Sequence, residues 1–147
     1  MTEFRFYHLQ STPLERALPG ILTQAYNRGM RVVVKCGSAD ILKNLDKQLW
    51  TFSPESFLPH SADENPKDQP VWLTTKDENP NKATVLILTD GIDCEIQSEF
   101  DLCCNVFDGL DDSAVQNARE KWKALKDSDN DLKYYQQTTG GGWEQKA

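Results

Sequence analysis

The chain has 147 residues, 38% of them hydrophobic, and a formal net charge of −7, which indicates one folded domain and excludes a disordered chain. Because an acidic surface repels phosphate groups, we expect little direct DNA binding, and any anionic partner must meet a local basic patch. The sequence contains no leader typical of a signal peptide and no run of the ~20 apolar residues that span a bilayer. These features predict a cytoplasmic protein whose four cysteines are reduced thiols.

The first half of the chain alternates apolar strands with amphipathic helices. In order, we predict a strand over 4–9, a helix over 14–27, a strand over 30–36 and a helix over 38–50. Pro19 lies inside the first helix and should kink its first turns or delay its start, because proline lacks the backbone N–H. Strands and helices that alternate through tight turns are typical of an α/β fold with a mostly parallel sheet.

The second half continues this pattern with longer polar loops. The predicted strands cover 57–60, 71–74, 83–89 and 102–107, and a helix follows over 111–126. Residues 92–100 are ambiguous, and residues 132–137 suit either a short helix or an extended arm. Three consecutive glycines precede the last residues, so we expect one domain over 1–137 and a flexible end over 138–147.

The helix over 111–126 has two distinct stripes. At about 100° per residue one stripe is apolar and contains Ala114, Val115, Ala118, Trp122 and Leu125. The other is basic and contains Arg119, Lys123 and Lys126. A basic row beside a large aromatic side chain suits a docking surface, but solvated cations that complement the negative end of the helix dipole explain the same row.

Several kinds of chemistry are missing from the sequence. No G-x-x-x-x-G-K-[ST] motif occurs, and the first strand is not followed by the glycines that let a backbone approach a pyrophosphate, so we expect no nucleotide cofactor. The nucleophile turn G-x-S-x-G is also absent. The cysteines form no C-x-x-C pair, and those in the predicted strands are best explained as small buried apolar residues.

An acidic cluster follows the strand over 83–89 and offers one catalytic alternative. Its members are Asp90, Asp93, Glu95, Glu99 and Asp101. Carboxylates can hold a divalent metal for hydrolysis, which would make the chain a metal-dependent phosphoesterase. A solvated acidic loop is the commoner explanation of such a cluster.

A third group of residues is aromatic. Trp50, Phe52 and Phe57 flank prolines in a loop, where they serve either core packing or a hydrophobic pocket for a partner's side chain. If such a pocket lay beside Arg119 and Lys123, it would suit an acidic peptide that ends in an aromatic residue and a free carboxylate.

The chain resembles the chi subunit of bacterial DNA polymerase III holoenzyme. The resemblance covers almost the whole chain in order. It is carried by FRFYHL at the start, RGMRVVVKC, LDKQLWTFSPESFLPH, ATVLILT and finally FDGLDDSAVQNAREKWKALK. The most specific part is the motif LW-x-x-x-x-x-SF-x-PH, which is followed later in the chain by a helix that contains R-x-x-W/Y-K.

This resemblance implies a single-domain, Rossmann-like three-layer sandwich without a nucleotide site, and a non-catalytic role with no cofactor. Chi subunits link the clamp loader, through a psi subunit, to single-stranded DNA-binding protein, whose acidic C-terminal tail they bind. Carried over by motif, Arg119 and Lys123 would hold the carboxylates of the tail. Trp122, Trp50 and Phe57 would line the pocket for its terminal aromatic residue. Trp122 stands where the family often has tyrosine, so the flat wall is kept without the hydroxyl.

Overall fold

The computed structural model describes residues 2–10, 12–51, 60–61, 66–89, 92–127, 130–140 and 142–146. The strands are β1 Glu3–Leu9, β2 Val32–Lys35, β3 His60–Ser61, β4 Val71–Thr74, β5 Val85–Thr89, β6 Leu102–Asp108, β7 Asp131–Gln137 and β8 Trp143–Gln145. The helices are α1 Leu14–Asn27, α2 Ala39–Thr51 and α3 Asp112–Asp127, with short 3-10 turns at Pro66–Asp68 and Gln97–Glu99. The strands form one sheet in the order β3-β4-β2-β5-β6-β1-β7-β8.

Helices cover both faces of this sheet, and only its last pair, β7 with β8, is antiparallel. On one face, buried leucines of α1 and α2 pack against the strands: Leu18, Leu22, Leu45 and Leu49. On the other face, Ala114 and Ala118 of α3 pack against a second cluster rich in phenylalanine. The predicted three-layer α/β sandwich with a mostly parallel sheet is therefore confirmed. The central strands β2, β4 and β5 are nearly continuous apolar runs because both of their faces are buried.

Helix α1 runs through its internal proline. It begins at Leu14 and includes Pro19, so of the two expected effects the proline does not delay the start of the helix. The proline removes one backbone hydrogen bond, whereas Leu18 and Leu22 are fully buried on the inner side of the helix. Burial of these two side chains, at about 1.5–3 kcal/mol each, is enough to offset that loss.

The C-terminal part of the chain adds two strands to the sheet. Residues 132–137 are extended, because β7 pairs in parallel with β1 from Glu3 to His8. Where the sequence predicts a flexible end, β8 pairs with β7, and the Trp143 ring packs edge-on against Tyr7 with centroids 5.1 Å apart. Part of this end therefore belongs to the sheet.

The register of β1 brings aromatic side chains together on the α3 face. Phe6 lies opposite Tyr134 of β7, and His8 lies opposite Phe107 of β6. All four side chains point to the same side, because residues two apart on a strand share a face.

None of the helices in the described part of the chain has the length and apolar character needed to span a bilayer.

We expect Gly109→Ala to lower the free energy of unfolding by about 1–3 kcal/mol, because overpacking of a tight contact carries a cost of this size. A Cβ at position 109 would overlap the His8 ring and the Leu9 carbonyl oxygen, which accepts a hydrogen bond from the Gly109 N–H at 2.7 Å. Urea denaturation measures the change. Gly20→Ala in α1 is the control, since nothing lies within 4 Å of its added Cβ, and it should stabilise by about 0.5–1 kcal/mol. Equal midpoints for the two variants would contradict this packing.

We expect all four thiols to resist Ellman's reagent at pH 8 until the protein unfolds, and then to react together. Every cysteine is buried, as the sequence predicts for those in strands. Burial raises the pKa of Cys36 and of Cys103 to about 12, so little reactive thiolate forms. Rapid labelling of any cysteine in the native protein would show that its burial is wrong.

Candidate functional site

Helix α3 is held in place by its cap and by its apolar stripe. The Asp111 carboxylate accepts hydrogen bonds from the backbone N–H groups of Ser113, at 3.0 Å, and Ala114, at 3.4 Å. Ala114 and Ala118 are buried, and Trp122 and Leu125 pack against the same cluster. The stripe predicted from the sequence therefore faces the sheet and fixes the rotation of the helix about its axis.

An aromatic cluster, formed by Phe6, His8, Phe107, Trp122 and Tyr134, lies beneath the second half of α3. The Trp122 ring meets Phe6 and Tyr134 edge-on, with centroids 5.4 and 5.8 Å apart. The His8 ring packs on Phe107 at 5.1 Å. Phe6 and Phe107 are fully buried, whereas His8, Trp122 and Tyr134 are half-buried and reach the surface.

Arg119 and Lys123 form a basic edge of α3 next to this cluster. Both are exposed, and they stand one helical turn apart, so their side chains are neighbours. Among the residues that the structure describes, neither makes an ion pair. The charge of Arg119 acts on both His8 and Tyr134, which places the guanidinium near the polar rim of the aromatic cluster.

The other edge of α3, which contains Lys121, carries no excess of positive charge. Lys121 forms an ion pair with Asp93, with Nζ and the carboxylate oxygen 2.9 Å apart. A cavity of about 450 Å³ lies here, lined by Asp93, Gln97, Asn117, Glu120, Lys121, Ala124 and Leu125. The mixed charges of this edge leave no net basic surface, so the two sides of the helix are electrostatically different.

His8 and Tyr134 make a polar contact at the rim of the cluster. His8 Nδ1 and the Tyr134 hydroxyl oxygen are 2.6 Å apart. Burial lowers the pKa of His8, and the charge of Arg119 lowers it further. A backbone hydrogen bond of Gly109 opposes this shift, and so does the Asp108 carboxylate. Burial raises the pKa of Tyr134, and Arg119 opposes that shift.

The structure brings together three of the five predicted site residues. Arg119, Trp122 and Lys123 share one side of α3. Trp50 is in the last turn of α2, which packs on the opposite face of the sheet, and its side chain is not among those described. Phe57 lies outside the described residues. Whether Trp50 and Phe57 take part in the site therefore stays a prediction from the sequence.

The described members of the acidic cluster, Asp93, Glu95, Glu99 and Asp101, do not form a metal site. In the described part of the chain, no group of three or more His, Cys, Asp or Glu side chains could hold an ion. Asp93 instead pairs with Lys121, and Asp101 is exposed. Asp90 lies outside the described residues.

Sequence reasoning missed His8 and Tyr134 as neighbours of the basic edge. The alternation of side chains along β1 puts His8 on the same face as Phe6. The parallel pairing of β1 with β7 could not be read from the ambiguous segment over 132–137, so Tyr134 had no assigned position. A preference for the extended form of that segment would have suggested it.

The sequence is similar to known proteins of one family. A family model described as DNA polymerase III chi subunit, HolC, matches residues 1–133. The protein named "Probable DNA polymerase III subunit chi" from Rickettsia prowazekii is 30% identical over 95 residues, which are 63% of this chain and 58% of that protein. DNA polymerase III subunit chi of Pseudomonas aeruginosa is 31% identical over 90 residues, 59% of this chain and 63% of the relative. The match thus spans less than two thirds of either relative.

A third relative is covered more fully. DNA polymerase III subunit chi of Escherichia coli is 28% identical over 116 residues, which are 77% of this chain and 78% of that protein. The family model covers β1 through the start of β7, including all three helices and the whole basic edge. The chain belongs to the DNA polymerase III chi subunit family.

Proposed function

We propose that the chain binds the acidic C-terminal tail of single-stranded DNA-binding protein along the basic edge of α3, and so connects that protein to the clamp loader. Membership of the chi family makes the chain a non-catalytic accessory subunit in DNA replication. The observation that carries the proposal is the pair Arg119 and Lys123, exposed beside Trp122 and without an ion pair among the described residues.

The chemistry of this edge suits an acidic peptide that ends in an aromatic residue. Arg119 can donate two parallel hydrogen bonds to one carboxylate, and Lys123 adds a second positive charge one turn away. The half-buried Trp122 offers an apolar surface next to both cations. Desolvation of an aromatic side chain against this ring would add binding energy that does not depend on salt.

The overall acidity of the chain supports a local site. With a net charge of −7, most of the surface repels an acidic peptide, so attraction concentrates where cations lack partners. Lys121, on the other edge, is already paired with Asp93. The peptide should therefore lie on the side of α3 that faces β7.

The link to the clamp loader is the second half of the proposed role. The resemblance implies a psi subunit as the connecting partner. A chain that binds the tail on α3 and psi on another surface would bring the polymerase assembly to DNA that is already coated with single-stranded DNA-binding protein.

We expect Arg119→Ala to weaken binding of an acidic tail peptide roughly tenfold or more, because a hydrogen bond between charged groups contributes about 1.5–3 kcal/mol. Lys123→Ala should weaken it less, since lysine acts as a single point charge. Calorimetry at low and high salt measures both changes, and the wild-type affinity should fall as salt rises.

Lys43→Ala is the matched control for these variants. Lys43 is an exposed cation on α2, on the opposite face of the sheet, and its removal changes the net charge equally. The Lys43→Ala variant should bind the tail peptide with the same affinity as the wild type. If all three variants bound alike, or if binding ignored salt, the basic edge of α3 would not be the site.

A further variant decides whether Trp50 takes part. Because α2 and α3 pack on opposite faces of the sheet, we expect Trp50→Ala to leave peptide affinity within about twofold of the wild type while Trp122→Ala lowers it more than tenfold. The same calorimetric titration measures both, with thermal denaturation as the check on folding. A large loss in a folded Trp50→Ala protein would instead support the single pocket predicted from the sequence.

A further inference from the structure

The polar rim of the aromatic cluster extends the peptide site. The Tyr134 hydroxyl lies 2.6 Å from His8 Nδ1, and Arg119 acts electrostatically on both residues. His8 of β1 and Tyr134 of β7 therefore lie near Arg119 of α3, the cation that would hold a carboxylate. The inference that follows rests on the proposed peptide binding at this edge.

The neighbours of the two ring nitrogens indicate which way the hydroxyl proton points. His8 Nε2 lies beside Gly109, and a backbone hydrogen bond of the ring with Gly109 favours the protonated form. A neutral imidazole carries one proton, which this contact assigns to Nε2. Nδ1 is then an acceptor, and the Tyr134 hydroxyl donates its only proton to it.

Protonation of His8 reverses that contact. An imidazolium is a donor at both nitrogens, so Nδ1 would donate to the Tyr134 oxygen. The hydroxyl proton is then released from His8 and can be donated to an acceptor next to Arg119. No bond to carbon forms or breaks, and the only net change is the uptake of one proton from water.

We propose that the Tyr134 hydroxyl is a third hydrogen-bond donor to the bound peptide carboxylate, and that the proton on His8 decides whether it donates. The binding of an anion beside Arg119 offsets the positive charge that disfavours the imidazolium. His8 therefore takes up a proton on binding, and the peptide binds more tightly as the pH falls.

The charged groups around His8 fit this coupling. Arg119 faces it from α3 and disfavours the proton, whereas Asp108, at the end of β6, favours it. Tyr134 is the titratable neighbour on β7, and its raised pKa keeps the hydroxyl protonated throughout the range of interest. Peptide carboxyl groups titrate near pH 4, so above pH 6 they stay ionised and do not contribute.

The test is calorimetry with an N-acetylated acidic hexapeptide that ends in phenylalanine, at pH 6.0 and 8.0 and in two buffers of different ionisation enthalpy. The wild type should bind about three- to tenfold more tightly at pH 6.0, with uptake of up to about one proton, since one linked proton allows at most tenfold per pH unit. His8→Gln should bind without proton uptake and with a flat pH profile. Tyr134→Phe, which keeps the ring packing, should lose most of the gain at pH 6.0.

His60→Gln is the matched control, because His8 and His60 are the two histidines of the chain. It should keep the wild-type pH profile. The inference is overturned if wild-type binding takes up no proton, if His8→Gln keeps the profile, or if His60→Gln loses it. Wild-type binding at both pH values without proton uptake leaves the proposed function intact, whereas no binding at either pH removes both.

Discussion

The packing of Trp122 onto Phe6 and Tyr134 is the contact on which the proposed binding surface depends. It joins α3 to two neighbouring strands at once, with ring centroids 5.4 and 5.8 Å apart. Since Trp122 and Ala118 both face the sheet, the residues directly beside them on the helix, Arg119 and Lys123, must lie along its edge. An edge-on aromatic pair adds about 0.5–1.5 kcal/mol beyond burial, so the rotation of the helix is well determined.

The two edges of α3 show how an acidic protein can keep a basic site. The edge that faces the 3-10 turn has its cation neutralised by Asp93, whereas the edge that faces β7 carries two cations beside an aromatic surface. Screening by salt limits such a patch to a range of about 8–10 Å. A short acidic tail is therefore a more suitable ligand than a long nucleic acid, which the rest of the surface would repel.

The fold resembles a nucleotide-binding sheet, yet the loop after β1 is used for a structural purpose. In such folds the backbone N–H groups after the first strand hold phosphate. Here the Gln137 side-chain oxygen accepts hydrogen bonds from the backbone N–H groups of Gln10, at 3.1 Å, and Thr12, at 3.2 Å. Its amide nitrogen donates to the Thr12 hydroxyl at 2.8 Å. The donors that would bind a phosphate instead attach this loop to the end of β7.

The sequence by itself determined the α/β class, the parallel sheet, the buried cysteines and the two stripes of α3, because these depend on local periodicity. It also pointed to the chi family through ordered motifs. Only the tertiary structure decided which strands are neighbours, since parallel pairs join residues as far apart as Phe6 and Tyr134. That pairing added His8 and Tyr134 to the rim of the basic edge. The tertiary structure likewise put α2 and α3 on opposite faces, because the face on which a helix packs depends on sheet order rather than on its own sequence.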